Sequence, residues 1–206
     1  MNIFLDINTQ IVILAGGKGT RLHAINKGLP KSLTPLLEVP IIEHQIRFCR
    51  SQGFVKFLLI VAYENKKIIE YFEAHPIEDI EIKYYKENSP KGTGGALCAS
   101  LSLLEKYFFL IYSDTYFTIN FSNFLSEFNS KLKNNNQIDG MILVHPNNHP
   151  HDSDIVELNS KDELIAIHGY PHNKKNLRNL VNAAFYLLKK DLIIGIKDIF
   201  NKESIF

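Results

Sequence analysis

The sequence has no excess charge of either sign. Its 23 lysines and arginines stand against 22 aspartates and glutamates, a formal net charge of +1. That excludes a polybasic surface for nucleic acid or a membrane face, so any phosphate chemistry must come from a local site. No apolar run approaches the ~20 residues that cross a bilayer, so no membrane insertion is expected. Met1 to Gln10 carries Asp6 and lacks a basic region followed by an apolar stretch, so no signal peptide is expected. Cysteine is scarce: Cys49 and Cys98 fall in helix-like stretches and read as reduced core thiols of a cytoplasmic protein. There is no internal repeat and no long low-complexity linker, and Lys133 to Gln137 reads as a surface loop. A Ser/His/Asp nucleophile pattern is also missing.

What is present is enough for one α/β domain, or a large domain with a small appendage: 206 residues, 45% hydrophobic. Strand-like and helix-like stretches alternate. Ile11 to Ala15 is a short apolar run that stops at Gly16-Gly17, as a buried strand feeding a loop should. Pro40 opens a helical stretch to Arg50, with Gly53 placed to cap it. Further strands are expected at Phe57 to Ala62, Ile80 to Tyr85, Tyr107 to Tyr112 and Gly140 to Val144. Helices are expected at Glu64 to Ala74, Gly95 to Lys106 and Phe121 to Leu132, with Ile68, Ile69 and Phe72 facing the core. Such an order predicts a mainly parallel, doubly wound sheet whose ligands bind beyond the carboxyl ends of the strands. Asp154 to Leu158 and Leu164 to His168 pair around a polar turn, and Leu180 to Leu188 returns as a strand. These three predict a smaller β-rich lobe that covers the crevice.

The sharpest feature is Leu14-Ala15-Gly16-Gly17-Lys18-Gly19-Thr20-Arg21-Leu22, directly after the first strand. Its glycines let backbone N–H groups approach a polyphosphate, and Arg21 can bridge phosphate oxygens. Alone it is a weak signal: it completes neither the dinucleotide fingerprint nor the ATPase phosphate loop. Leu29-Pro30-Lys31-Ser32-Leu33-Thr34-Pro35 follows, with two prolines fixing the backbone around Lys31. An arginine and a lysine suit a triphosphate whose charge grows at the transition state. Asp114 follows an apolar strand, so its carboxylate is expected at the carboxyl edge of the sheet, a hard oxygen ligand for Mg²⁺. A strand-end aspartate is equally an ordinary turn residue.

Leu-Ala-Gly-Gly-x-Gly-Thr-Arg-Leu followed by Pro-Lys resembles the signature of the sugar-1-phosphate nucleotidyltransferase family. Gly92-Thr93-Gly94-Gly95-Ala96 and the later spacing look most like its heptose-1-phosphate guanylyltransferases. The stretches 145–154 and 178–184 resemble the nucleotidyltransferase half of fusions with a heptose-bisphosphate or histidinol-phosphate type phosphatase. The resemblance runs to about Lys190. It implies a Rossmann-like three-layer α/β/α sandwich, the nucleotide-diphospho-sugar transferase fold. Residues 10–145 would be the nucleotide-binding core and 146–188 the sugar-side lobe of a single domain.

The reaction it implies is attack by a sugar 1-phosphate on a nucleoside triphosphate, GTP favoured, giving a nucleotide-sugar for cell-surface polysaccharide, and pyrophosphate. Arg21, Lys31 and Asp114 would be catalytic, with Mg²⁺ on Asp114. Nucleotide contacts are implied at Leu14, Ala15, Gly16, Gly17, Gly19, Thr20, Glu87, Gly92, Thr93 and Gly94. Asn182 would bind sugar hydroxyls; by itself it is also a buried amide that backbone groups would satisfy. The partners implied are the two substrates, a homodimer, and a fused phosphatase in a longer parent. Four departures from the family pattern stand out: Ser113 in place of the glycine of a Gly-Asp pair, Ala184 where glycine is common, Tyr170 where a phosphate-binding lysine precedes proline, and no second metal aspartate before Phe206. Lys174 or Lys175 is a candidate replacement for that lysine. The last departure predicts a chain incomplete at its C-terminus, with Lys202 to Phe206 resembling the start of a further helix.

These departures leave a second reading, a nucleotide- or sugar-phosphate-binding domain with little catalysis; a third is a glycosyltransferase, whose nucleotide-sugar fold can look similar and which Arg21 and Lys31 disfavour. His145, His149, His151, His168 and His172 match no closed four-ligand zinc spacing and read as surface or substrate-loop residues.

Overall fold

A computed structural model describes residues 4–17, 28–89, 91–134, 137–147, 153–172 and 177–203. Gly19, Thr20, Arg21, His149, His151, Lys174 and Lys175 lie outside the described residues.

Strand β1 (Gln10–Leu14) is apolar on both faces, and Ile11, Val12 and Ile13 are fully buried. A 3₁₀ turn at Lys31–Leu33 leads into a small hairpin, β2 (Pro35–Leu36) and β3 (Val39–Pro40). Helix α1 (Ile41–Ser51) follows at once. It ends as its sequence anticipates. Gly53 sits at φ +94°, its N–H donates to Arg50 O at 2.8 Å, and the Phe54 N–H donates to Cys49 O at 3.2 Å. That is a Schellman ending, and it needs glycine. A Cβ on Gly53 would also lie 3.1 Å from Ile7 Cδ1.

The chain then alternates through β4 (Lys56–Val61), α2 (Asn65–Ala74), β5 (Glu81–Lys86), α3 (Gly92–Ala99), β6 (Tyr107–Tyr112), α4 (Phe121–Asn134) and β7 (Gly140–Pro146). A hairpin, β8 (Ile155–Leu158) with β9 (Leu164–His168), precedes β10 (Leu180–Lys189) and α5 (Lys190–Glu203). Six strands form the main sheet in the order β5-β4-β1-β6-β10-β7. Strand β1 pairs in parallel with β4 and β6, and β4 with β5. The connections leave β1 toward β4 and β5, then return to β6 on its other side, so the direction of winding reverses beside β1.

The chain divides into two compact units: residues up to Met141 together with those from Leu187, and Ile142–Tyr186. The first holds an aromatic core. Phe121 packs on Phe54 and Phe109 with ring centroids at 4.7 and 4.9 Å, and all three side chains are fully buried. Each such ring contributes about 1.5–3 kcal/mol by burial. Ile68 and Phe72 of α2 are buried as its periodicity predicts, and so is Cys49, whose thiol burial pushes up. Glu43 joins α1 to α2: its buried carboxylate accepts from Tyr71 Oη at 2.5 Å and from Arg47 Nε at 2.6 Å. Burial pushes its pKa up, but these two donors more than offset that and hold it below the usual value.

Three elements differ from the sequence reading. Helix α3 begins at Gly92 and ends at Ala99, where Gly95 to Lys106 was expected; a 3₁₀ turn at Leu101–Leu103 follows. The glycines read as loop because of their low helix propensity, yet they form its first turn. Strand β10 was assigned to the small lobe; residues 180–186 do belong to the second unit, but the strand also takes a place in the main sheet between β6 and β7. Its second half carries buried Phe185, Leu187 and Leu188, an apolar run that the core accepts beside β6. Helix α5 starts at Lys190, so Lys202 and Glu203 lie near its end rather than opening a new helix.

The β2–β3 hairpin turns through two residues, Leu37 at φ 50° and Glu38 at φ 70°. Two central residues at positive φ define a type I′ turn, which prefers Asn-Gly. Leu37 is 87% exposed, so its side chain contributes little packing there. Replacing Leu37→Asn together with Glu38→Gly is expected to stabilise the protein by about 1–2 kcal/mol, roughly 2–8 °C in Tm. A melting curve with unchanged or lower Tm would refute the strain argument.

Candidate active site

The reversal of winding beside β1 brings two strand ends together. Leu14 is in register with Tyr112, and the Ser113 N–H donates to Leu14 O at 3.1 Å. The glycine-rich loop leaves the sheet on one side of this junction and Asp114 on the other. On the far side of β1, the Ala15 N–H donates to Ile60 O at 2.8 Å. The Ala15 amide therefore extends the sheet and is not free for a ligand.

Gly16 and Gly17 differ in what surrounds them. A Cβ on Gly16 would lie 3.1 Å from Ala62 Cβ and 3.3 Å from Glu87 Oε2. A Cβ on Gly17 would meet nothing, so this glycine leaves space open in front of the loop. Glu87 directly follows β5, and its N–H donates to Val61 O at 2.8 Å. Gly92, at φ +73°, opens α3. The first-turn N–H groups of a helix have no intrahelical acceptors, so this end offers donors to a ligand.

Lys31 arrives from the 3₁₀ turn. Pro30 precedes it, and the Leu33 N–H donates to Pro30 O at 2.9 Å. The Lys31 ammonium meets the Asp114 carboxylate in a direct ion pair, each side chain about a third exposed. A cavity of about 250 Å³ opens here. Leu14, Gly16, Gly17, Lys31, Glu87, Gly92, Thr93 and Asp114, all singled out in the sequence, line it. Residues 14, 31, 87 and 114 are far apart in the chain and converge only through the strand order.

Four further lining residues, Ile60, Ala96, Tyr112 and Ser113, were not read as contact residues, although Ala96 and Ser113 fall in the quoted motifs. Tyr112 shares a hydrogen bond with Thr93 through their hydroxyls, 2.9 Å apart. It looked like the end of an apolar core strand. Its position at the strand end, two residues before Asp114, was the available signal. Gln45 was missed as well. It donates to Tyr112 O at 2.8 Å and to Thr115 O, and it is 3% exposed. A glutamine on the buried stripe of α1, between Ile42 and Cys49, was the clue.

Asn182 belongs to the other unit. Its Nδ2 donates to Tyr186 Oη at 2.5 Å, and its Oδ1 accepts from the Ala184 N–H at 2.9 Å. Ala184 sits at φ 56°, a conformation that costs a non-glycine residue about 1–2 kcal/mol. That accounts physically for a glycine being common at this position. In the same unit His168 Nε2 lies 2.6 Å from Glu157 Oε2, and His145 Nδ1 lies 2.8 Å from Pro146 O.

The donor set suits a hard divalent cation. Mg²⁺ takes one or two carboxylates and fills its remaining positions with water and substrate phosphates. Asp114 supplies one carboxylate at the rim of a cavity framed by glycine backbone. Among the described residues no three of histidine, cysteine, aspartate and glutamate gather into a closed metal site. Among the same residues no helix is long and apolar enough to cross a membrane.

A solved structure of HddC from Yersinia pseudotuberculosis superposes with a TM-score of 0.73 at 24% identity, covering 90% of this chain and 78% of that one. The structure of a putative glucose-1-phosphate thymidylyltransferase from Bacillus anthracis gives a TM-score of 0.76 at 19% identity, covering 92% of this chain and 74% of that one. Both show the nucleotide-diphospho-sugar transferase fold. In sequence, the D-glycero-alpha-D-manno-heptose 1-phosphate guanylyltransferase of Campylobacter jejuni is 32% identical over 89% of this chain and 77% of its own length. A bifunctional sugar-1-phosphate nucleotidylyltransferase/acetyltransferase of Sulfurisphaera tokodaii is 33% identical over 87% of this chain, which spans 41% of that protein. The model of the nucleotidyl transferase family matches residues 10–204. With the phosphate-loop signature, the strand order and these relatives in agreement along nearly the whole chain, the protein belongs to the nucleotidyl transferase family and is an enzyme of the sugar-1-phosphate nucleotidyltransferase type.

Proposed function

We propose that this chain couples a nucleoside triphosphate, GTP favoured, to a heptose or hexose 1-phosphate. The observation that carries this reading is the convergence of Gly16, Gly17, Lys31 and Asp114 at one sheet edge, around one cavity. An oxygen of the sugar phosphate attacks the α-phosphorus in line. One P–O bond forms, the bond to the bridging oxygen of the β-phosphate breaks, and pyrophosphate leaves with the electron pair. No protein nucleophile is required. The chain's work is positioning and charge stabilisation.

In this reading the backbone at Gly16 and Gly17 cradles the phosphates, and Lys31 neutralises charge that grows as pyrophosphate departs. Arg21 and the rest of the loop add to this from outside the described residues. A Mg²⁺ held by Asp114 would supply Lewis-acid stabilisation at the triphosphate. Asn182 is the sugar-side residue. With one Nδ2–H used by Tyr186 and one Oδ1 lone pair used by Ala184, it retains one donor and one acceptor for hydroxyl groups. The product, a nucleotide-sugar, is an activated donor for cell-surface polysaccharide.

Glu87 supports the choice of guanine. Its carboxylate lines the cavity beside α3, and a carboxylate pairs with adjacent N–H donors, which guanine offers on its N1 and N2 edge. The similarity to a heptose-phosphate guanylyltransferase agrees. Pyrophosphate release with each of the common triphosphates and a panel of sugar 1-phosphates tests the reading, and GTP with a heptose or hexose 1-phosphate is expected to lead. Glu87→Gln is expected to lower the GTP-over-ATP ratio of kcat/KM by about 10–100-fold, the range of a charged hydrogen bond. A ratio unmoved by that change would remove Glu87 from base recognition. No release with any substrate pair, despite triphosphate binding, would leave a binding domain.

A further inference from the structure

The segment between β6 and α4, residues 113–120, has neither strand nor helix, yet it carries Asp114. Side chains of α1 and of the residue that follows it bind its backbone. Gln45 of α1 donates from Nε2 to the carbonyl oxygens of Tyr112, at 2.8 Å, and of Thr115. Gln52, seven residues on and the residue that directly follows α1, donates from Nε2 to Ile119 O at 2.9 Å. Its Oε1 accepts the Phe121 N–H at 2.9 Å. Phe48, between them, meets Phe117 edge-on with centroids 5.7 Å apart. Helix α1 and the residue after it therefore grip the segment at both ends and in the middle.

The two amides differ. Gln52 uses both its donor and its acceptor. Gln45 uses only donors, and its Oε1 is buried with no partner among the described residues. An unmet buried acceptor costs about 1–3 kcal/mol, which offsets much of what the two donated bonds contribute. The two carbonyls that Gln45 joins belong to the residues flanking Ser113-Asp114. The turn is closed by its own Thr115 N–H to Tyr112 O bond at 3.2 Å, and one planar amide bound to both carbonyls adds a second constraint on the turn that carries the Asp114 carboxylate. The same helix is tied to the Lys31 turn, because the Ile41 N–H donates to Thr34 O at 3.0 Å.

We propose that Gln45 is a positioning residue for the divalent-cation site. Its amide sets the Asp114 carboxylate relative to Lys31 and the glycine loop. This inference rests on Asp114 as the metal ligand.

The test measures Mn²⁺ affinity by the electron spin resonance of free Mn²⁺, with a non-hydrolysable GTP analogue present, alongside steady-state kinetics and melting curves. Gln45→Met keeps the length of the side chain and removes both donors. It is expected to weaken Mn²⁺ binding by about 10–100-fold, as loss of a group orienting a ligand does. Turnover is expected to fall by a similar factor, with KM for the sugar 1-phosphate within about threefold of the parent. Gln52→Met is expected to lower Tm but to leave the Mn²⁺ dissociation constant within about twofold. If Gln45→Met leaves that constant unchanged, or Gln52→Met shifts it equally, the amides serve only the segment's stability and the proposal fails. Asp114→Asn forms a separate arm. Mn²⁺ binding unaffected by that change overturns the metal assignment itself, whereas loss there with no change in Gln45→Met overturns the positioning role alone. Should Gln45→Met not fold, Gln45→Asn, an amide one methylene shorter, carries the same comparison.

Discussion

Replacing Asp114 with asparagine is expected to cut divalent-dependent turnover by at least about 10³-fold, corresponding to roughly 4 kcal/mol of transition-state stabilisation. The change is nearly isosteric and removes one negative charge at the cavity rim. The fold has little stake in it. Asp114 lies on a turn, about a third exposed, and its ion pair with Lys31 is of the kind that contributes about 0–1 kcal/mol. Melting temperature should therefore barely move while activity collapses. Raising the Mg²⁺ concentration should recover only part of the loss, because the neutral amide is a poorer ligand for a hard cation. Full activity in the variant would take the metal away from this residue.

Replacing Lys31 with methionine is expected to act in opposite directions on two ligands. Turnover with the triphosphate should fall by about 10²–10³-fold, as when a preorganised cationic group at developing phosphate charge is lost. Binding of Mn²⁺ alone should become tighter. The Lys31 ammonium sits against the carboxylate that a divalent cation would use, and the two cations compete for it. Removing one unit charge at contact distance in a largely aqueous setting is worth about 1 kcal/mol, or roughly a fivefold gain in Mn²⁺ affinity without nucleotide. Titration of Mn²⁺ against both proteins, with and without a GTP analogue, measures both effects. Weaker binding of Mn²⁺ alone in the variant would contradict the competition. It would make Lys31 a support for the metal site rather than a rival to the ion.

The strands were legible where burial is two-sided and continuous. Tyr107–Tyr112 has the bounds its apolar run implies, and Gln10–Leu14 is displaced from expectation by one residue. The end of α1 was legible because Gly53 meets a local backbone requirement. Helix α3 was not, because three glycines within its first four residues argue against helix while the end of the sheet supplies the place for one. The role of Gln45 was not legible either. Its partners lie 67 and 70 residues away, beyond any local pattern.

The sequence by itself determined a glycine pair, Gly16-Gly17, after the first strand, the lysine held between prolines, and an aspartate at the end of a buried strand. Each is a local matter of backbone freedom, ring constraint or strand periodicity, and so can be read from neighbouring residues. The tertiary structure alone decided that these three face one cavity, that β10 completes the main sheet, and that a buried helix amide spans the turn bearing Asp114. Those facts depend on which strands lie side by side and which helix face covers a loop. They are set by packing among residues far apart in the chain, which no local pattern records.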